Sequence, residues 1–200
     1  MSKIIGIYRH RLATDGKGVT TLVGFWGCPL RCRYCLNPVC FDKNANCLDL
    51  TPTQLYDRVK LDDLYFVSTG GGVTFGGGEP LLHSEFIREF RTLVGDRWRI
   101  RAETCLNVEE KNVLEVADAL DELFVDVKDA NPEIYKAYTG LDNTRVLDNL
   151  RLLLSLKKED AITVRLPLIR GYNSERDREK SEGLLRSMGV TKFDKFEYRV

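Results

Sequence analysis

Val19-Thr20-Thr21-Leu22-Val23-Gly24-Phe25-Trp26-Gly27-Cys28-Pro29-Leu30-Arg31-Cys32-Arg33-Tyr34-Cys35 is an apolar run that breaks into a loop carrying three cysteines. The run has the length and β-branched content of a buried strand. The cysteines follow it at C-x₃-C-x₂-C spacing, so three thiols leave one strand end together. Three thiolates this close can grip one face of a metal cluster. A [4Fe–4S] cube is usually held by four cysteines, so a three-cysteine loop leaves one iron for a non-protein ligand. A zinc site with Cys40 or Cys47 as its fourth ligand is the alternative, although zinc loops usually show two C-x₂-C pairs. Disulfides fit poorly, since nothing marks the chain as secreted.

The 200 residues are 43% apolar and carry equal numbers of basic and acidic side chains, 30 of each. This predicts one domain over residues 1–200 with an ordinary globular core. Zero net charge argues against a broad nucleic-acid surface. No signal peptide and no apolar run of membrane-spanning length stand out, so no membrane partner is expected. Six cysteines (28, 32, 35, 40, 47 and 105) fit a reducing cytoplasm and a metal site. His10 and His83, the two histidines, read as surface or loop residues.

Outward from the opening stretch, Lys3 to Tyr8 reads as a short extra strand, and Thr14-Asp15-Gly16-Lys17-Gly18 as a turn. Asn37 to Asn46 is polar and irregular. Thr51-Pro52 starts a helix that runs to about Lys60. Strands are expected at Val73–Phe75, Trp98–Ala102, Leu123–Val127, Ile162–Leu166 and Lys195–Tyr198. Helices are expected at His83–Val94, Glu109–Leu120, Pro132–Tyr138, Thr144–Leu156 and Glu175–Met188. Phe86, Ile87, Phe90, Leu93 and Val94 recur at a helical period, and Val113, Leu114, Val116, Ala117 and Leu120 should face inward. With the opening run this makes six strands alternating with helices, hence a parallel sheet with right-handed crossovers. A ligand then lies at the C-terminal strand ends, in an incomplete barrel or a doubly wound sheet alike.

A second signal is Gly70-Gly71-Gly72-Val73-Thr74-Phe75-Gly76-Gly77-Gly78-Glu79-Pro80. Glycine is costly in a strand, and two triplets suggest backbone that approaches a ligand closely. Glu79 adds a carboxylate able to hold an ammonium group. A third signal is the polar set at later strand ends: Glu103, Thr104, Asp126, Lys128 and Arg165. Singly each is a solvated charge or an ordinary ion pair; together they line one mouth. Glu103 and Asp126 there invite a shared proton, a bound cation with Thr104 as a further oxygen ligand, or neutralisation by Lys128.

These pieces resemble the radical S-adenosylmethionine (SAM) superfamily, and within it the glycyl-radical-enzyme activating enzymes, pyruvate formate-lyase activators above all. The matching residues are Asp15-Gly16-x-Gly18, Cys28 through Asn37, Gly70-Gly71-Gly72-Val73-Thr74, Gly77-Gly78-Glu79, Asp126-Val127-Lys128, Tyr138-Thr139-Gly140 and Arg165-Leu166-Pro167. The resemblance implies a partial (β/α)6 barrel. It implies a [4Fe–4S] cluster on Cys28, Cys32 and Cys35 that cleaves SAM to a 5′-deoxyadenosyl radical, which takes hydrogen from a glycine of a glycyl radical enzyme. By position, Tyr34, Cys35 and Leu36 would border the SAM adenine. Gly77, Gly78 and Glu79 would meet its methionyl amine. Glu103, Asp126, Val127, Lys128 and Arg165 would contact its carboxylate and ribose region, with a monovalent cation on Glu103, Thr104 and Asp126. Asp15 and Gly16 would face the partner's glycyl loop. A monomer reduced by flavodoxin or ferredoxin is expected.

The departures are specific. Lys17 stands where these activators usually carry proline, and Glu103 where they carry aspartate. Their SAM-contacting histidine beyond the sixth strand has no counterpart before Val200. Cys40 and Cys47 are too few for an inserted two-cluster ferredoxin domain and read as free loop thiols, and Cys105 reads as a core thiol. The rival functions are a radical SAM enzyme acting on a peptide or small molecule, and a non-catalytic iron–sulfur or zinc scaffold.

Overall fold

The structure is a computed structural model and describes residues 1–12, 14–156 and 159–198. The chain opens with β1 (Ser2–Leu12), longer than its apolar part, and turns back into β2 (Val19–Phe25). β3 (Leu48–Leu50) and α2 (Asp63–Thr69) are short elements outside the sequence expectation, and α1 (Pro52–Val59) lies between them. Thr51 caps α1 through a full capping box with Gln54, and Pro52 takes the first turn, where no N–H is needed. Then follow β4 (Gly72–Gly77), α3 (Ser84–Val94), β5 (Arg99–Thr104), α4 (Glu110–Val116) and β6 (Glu122–Asp126). The last elements are α5 (Pro132–Thr139), α6 (Thr144–Leu156), β7 (Ile162–Leu168), α7 (Glu175–Ser187) and β8 (Lys192–Glu197).

All eight strands form one sheet in the order β3-β1-β2-β4-β5-β6-β7-β8. From β2 to β8 every neighbouring pair is parallel, which is the six-strand core expected from the alternation. β1 is antiparallel to both β2 and β3. Arg11 of β1 and Asp194 of β8 line the same cleft although five strands separate them in the sheet. The sheet therefore curls into a partial barrel.

Most of the apolar core packs between the sheet and its helices. Phe86, Ile87, Phe90 and Val94 of α3 are buried, with Phe90 edge-on to Phe75 of β4. Leu93, part of that helical period, and Leu114, expected inside, are 44% and 49% exposed. A helical period puts a side chain on the right face; whether a neighbour covers that turn is a tertiary matter.

The first glycine triplet serves the sheet. A Cβ on Gly71 would stand 1.8 Å from the Val19 carbonyl oxygen, and one on Gly72 2.0 Å from that of Arg99. These glycines are demanded by the backbones on either side of β4 and not by a ligand.

Candidate active site

The cysteine loop starts where β2 ends, and backbone hydrogen bonds clasp it on two sides. Trp26 N donates to Lys3 O (2.9 Å), Gly27 N to Cys40 O (3.1 Å), and Glu79 N to Gly27 O (2.8 Å). From the other side, Arg31 N and Arg33 N donate to Thr139 O and Tyr138 O at the end of α5 (2.9 and 3.1 Å). A Cβ on Gly78 would lie 2.0 Å from the Gly27 carbonyl oxygen, so glycine is needed for the loop to sit this close. Gly77 has φ of +89°, in the left-handed region, and its carbonyl accepts from Asn37 Nδ2 (3.0 Å). His83, in a short turn, is half-buried. Its ring stacks on Phe25 at 4.3 Å, Nε2 donates to Trp26 O, and Nδ1 accepts from the Ser2 hydroxyl.

Cys28, Cys32 and Cys35 open onto a cleft of about 370 Å³, with Tyr34, Leu36, Gly77 and Gly78 around them. All six cysteines are free thiols. Among the described residues no three His, Cys, Asp or Glu side chains gather closely enough to hold one metal ion. Three thiols nonetheless share one wall of the cleft. That donor set suits a cube, whose separate irons each take one thiolate. Burial first, against the pull of Lys128, raises the Cys32 thiol to about 11. Cys28 is lowered, chiefly by its hydrogen bond with Cys105.

The other walls are charged. Arg165 Nη2 donates to Glu103 Oε1 (2.9 Å), and Arg165 Nε lies 3.5 Å from Asp194. Lys128 Nζ donates to Asp126 Oδ2 and to the Tyr198 hydroxyl, both at 2.9 Å. Burial raises Glu103 above the ordinary carboxylate range, with Arg165 opposing it. Burial also works against the Lys128 charge, but Asp126, Tyr198 and Cys32 outweigh it and hold Lys128 well above its usual value. Each carboxylate of the Glu103–Asp126 pair thus has its own cation. Asp126 Oδ1 is buried without a hydrogen-bond partner among the described residues. An orphaned acceptor in a cleft of this size is what a polar small-molecule cofactor would complete.

Three expected site residues make contacts of their own with the surrounding backbone. The Glu79 side chain does not line the cleft. It is fully buried, its Oε1 accepting from Leu81 N (2.9 Å) and the Thr104 hydroxyl (2.6 Å), its Oε2 from Cys105 N (2.7 Å). A short turn with proline at its start follows Glu79 and requires that side chain as its cap. Thr104 lines the cleft beside Glu103. Its hydroxyl is spent on Glu79 and on Leu106 N (2.9 Å). Val127 is buried and meets its neighbour strand through Val127 N, which donates to Arg165 O (3.1 Å).

Asp15 lies in the cleft wall, ion-paired with Arg11, and its carbonyl accepts from the Thr74 hydroxyl (2.7 Å). Gly16 has φ of +118° and packs on Arg101, whose Nη2 donates to Lys17 O (3.2 Å).

Tyr198, Cys40 and Cys105 line the cleft without a role given to them from the sequence, and further tyrosines pack behind Tyr34. Tyr34 makes edge contacts with Tyr138 and Tyr172, and Tyr198 reaches Tyr138 from beyond β8. These tyrosines lie far apart in the chain, so no local pattern joins them. Cys40 and Cys105 are buried and line the same cleft as the three loop cysteines. The available signal for Cys105 was its position directly after Glu103-Thr104 at a strand end.

Comparison with known proteins agrees with this geometry. The family model described as Radical SAM superfamily matches residues 24–180. The isethionate sulfite-lyase activating enzyme of Desulfovibrio desulfuricans is 29% identical, the match covering 84% of this chain and 72% of that protein. The pyruvate formate-lyase 2-activating enzyme of Escherichia coli is 31% identical, over 88% of this chain and 70% of that one. Among solved structures, Streptococcus suis SuiB bound to S-adenosylmethionine superimposes with a TM-score of 0.65 at 13% identity. That match covers 86% of this chain and only 39% of SuiB, and it speaks for the fold alone.

Proposed function

This chain belongs to the radical SAM superfamily, among the glycyl-radical-enzyme activating enzymes, and we propose that it generates the glycyl radical of a partner enzyme. The observation that carries the reading is a three-thiol loop facing ion-paired strand ends across one cleft. Cys28, Cys32 and Cys35 would hold the [4Fe–4S] cluster. When bound, it supplies the electron that cleaves SAM to methionine and a 5′-deoxyadenosyl radical.

The chain's own residues bind and orient. Lys128 and Arg165 offer N–H donors for the SAM carboxylate, and Asp126 and Glu103 offer acceptors for its polar groups. Gly77 and Gly78 present bare backbone to the methionyl amine, behind which Glu79 fixes the turn. Tyr34 and Leu36, in the cleft wall, would border the adenine. Asp15 and Gly16 form the wall past which a glycyl loop would enter. A glycine Cα–H of the partner, brought in past that wall, would be the hydrogen donor, giving 5′-deoxyadenosine and a radical on the partner. In this reading the chain would act in the cytoplasm as a monomer reduced by flavodoxin or ferredoxin. Among the described residues no helix is long and apolar enough to cross a membrane.

Anaerobic reconstitution tests this. The wild type should take up a [4Fe–4S] cluster and release 5′-deoxyadenosine when reduced with SAM. Adding a glycyl radical enzyme should produce the doublet of a glycyl radical in electron paramagnetic resonance. Cys28→Ala, Cys32→Ala and Cys35→Ala should each lose the cluster. Full iron content in Cys32→Ala would sink the assignment.

A further inference from the structure

β1 loses step with β2 just before the turn that carries Asp15. Gly6 faces Gly24, Ile7 faces Val23 and Tyr8 faces Leu22, but the next pairs are Arg11–Thr20 and Leu12–Val19. Arg9 and His10 therefore stand together opposite Thr21. One extra residue on a strand is a β-bulge, and because side chains alternate it moves every later one to the other face.

The two faces of β2 are distinct here. A Cβ on Gly76 would meet Leu22 Cδ1 at 3.2 Å and Glu103 Oε2 at 3.6 Å, so Leu22 and the cleft residue Glu103 share the inside of the barrel. Thr20, two residues from Leu22, is on that same side. Arg11 opposes Thr20 and lines the cleft. In unbroken register Arg11 would oppose Val19 and turn outward.

Thr21 is on the other side, and its hydroxyl donates to Asp62 Oδ2 (3.3 Å) in the turn between α1 and α2. Asp62 is fully buried and grips the bulge. Arg9 Nε donates to Asp62 Oδ2 (2.7 Å), and His10 Nε2 to Asp62 Oδ1 (2.9 Å). Successive strand residues normally point to opposite faces. These two reach one carboxylate because His10 takes φ of +57°. That left-handed geometry is unfavourable outside glycine and persists only under outside support. Asp62 supplies it, with the Tyr65 ring of α2 edge-on to His10 at 5.1 Å.

We propose that Asp62 is a positioning residue for the entry wall: by holding Arg9 and His10 it fixes the bulge that aims Arg11 into the cleft, where Arg11 sets the Asp15 carboxylate for the partner's glycyl loop. The inference rests on the function proposed above. Arg11 Nη2 donates to Asp15 Oδ1 (3.0 Å). Without that guanidinium Asp15 is a buried charge lacking its counter-ion, which favours opening of the turn. The bulge lies beside the start of β2 and the cysteine loop follows its end, so the cluster ligands do not depend on it.

The test compares reconstituted wild type, Asp62→Ala, a chain lacking His10, and the two changes combined, with pyruvate formate-lyase as the probe partner. Release of 5′-deoxyadenosine without partner should match wild type throughout. In Asp62→Ala the KM for the partner should rise about tenfold, the size of one lost charge-assisted contact. Amide hydrogen exchange of residues 14–18 should quicken in the same variant. Deleting His10 lets Arg9 oppose Thr21 and Arg11 oppose Thr20 with no bulge, so the shortened chain should keep wild-type values with or without Asp62. A clamp that only stabilised the fold could not be replaced by removing a residue. Asp62→Asn, which keeps the shape and loses the charge, serves if Asp62→Ala does not fold. Wild-type KM and exchange in the Asp62 variant, or no rescue by the deletion, would overturn the inference. A wild type that releases 5′-deoxyadenosine but forms no glycyl radical would overturn that partner and not this inference, which the exchange at 14–18 decides by itself.

Discussion

At position 79 two demands oppose each other. The buried carboxylate receives three hydrogen bonds that shape the turn around the cleft, and these favour its charged form. Burial favours the neutral form and wins, leaving Glu79 above the ordinary glutamate value. A carboxyl raised in the folded state contributes stability that is fully present below its unfolded value, near 4.3, and is lost as pH climbs through the folded one. Wild type should therefore lose stability relative to Glu79→Gln as pH rises upward from that unfolded value, in denaturation midpoints measured side by side. Glu79→Ala is different, because it strands Leu81 N, Cys105 N and the Thr104 hydroxyl. It should cost about 2–4 kcal/mol and weaken SAM binding through displacement of the Gly77-Gly78 backbone. A variant with wild-type stability and SAM affinity by calorimetry would remove Glu79 from the support of the site.

Strands and helices show where glycine is obligatory and where it is incidental. Gly71→Ala would drive a methyl into the Val19 carbonyl, and should cost at least about 1–3 kcal/mol in chemical denaturation. Gly183 lies exposed within α7 with open space around it. Gly183→Ala should stabilise by about 0.5–1 kcal/mol. These elements also mark how far the sequence could be read. The six-strand alternation and the start of α1 were legible because period and capping chemistry are local. β3 has three residues, too few for a period to register. α2 went unseen because Leu64, Tyr65, Phe66 and Val67 give no amphipathic stripe; only Phe66 of the four is buried. In the site, the cysteine spacing and strand-end charges were legible for the same local reason. The inward turn of Glu79 and the tyrosines around Tyr34 depend on how distant segments meet, which spacing does not encode.

Across the whole molecule, the curled sheet is braced by charge. Arg165 on β7 reaches Glu103 on β5 and Asp194 on β8, with its guanidinium over the Phe124 ring at 4.7 Å. Removing the arginine leaves a carboxylate that burial already raises. Arg165→Met should destabilise by about 1–3 kcal/mol, and adding Glu103→Gln should recover much of the loss. Strict additivity in that double-mutant cycle would mean the pair contributes nothing to the wall.

The order of strands has a consequence for how the molecule comes into being on the ribosome. From β1 through β8 the spatial sequence departs from the chain sequence only at β3, which adds to the free side of β1. Each parallel strand, as it is synthesised, finds an edge already built, so the sheet can grow without waiting for a distant partner. The cysteine loop is the exception. It leaves β2 early, but Arg31 and Arg33 find their carbonyl partners only when Tyr138 and Thr139 have been added, about a hundred residues later. During that interval the loop is held at its two flanks, through Gly27 and Asn37, but not at Arg31 and Arg33 between the thiols, and the arrival of α5 closes the clasp around whatever the loop then holds.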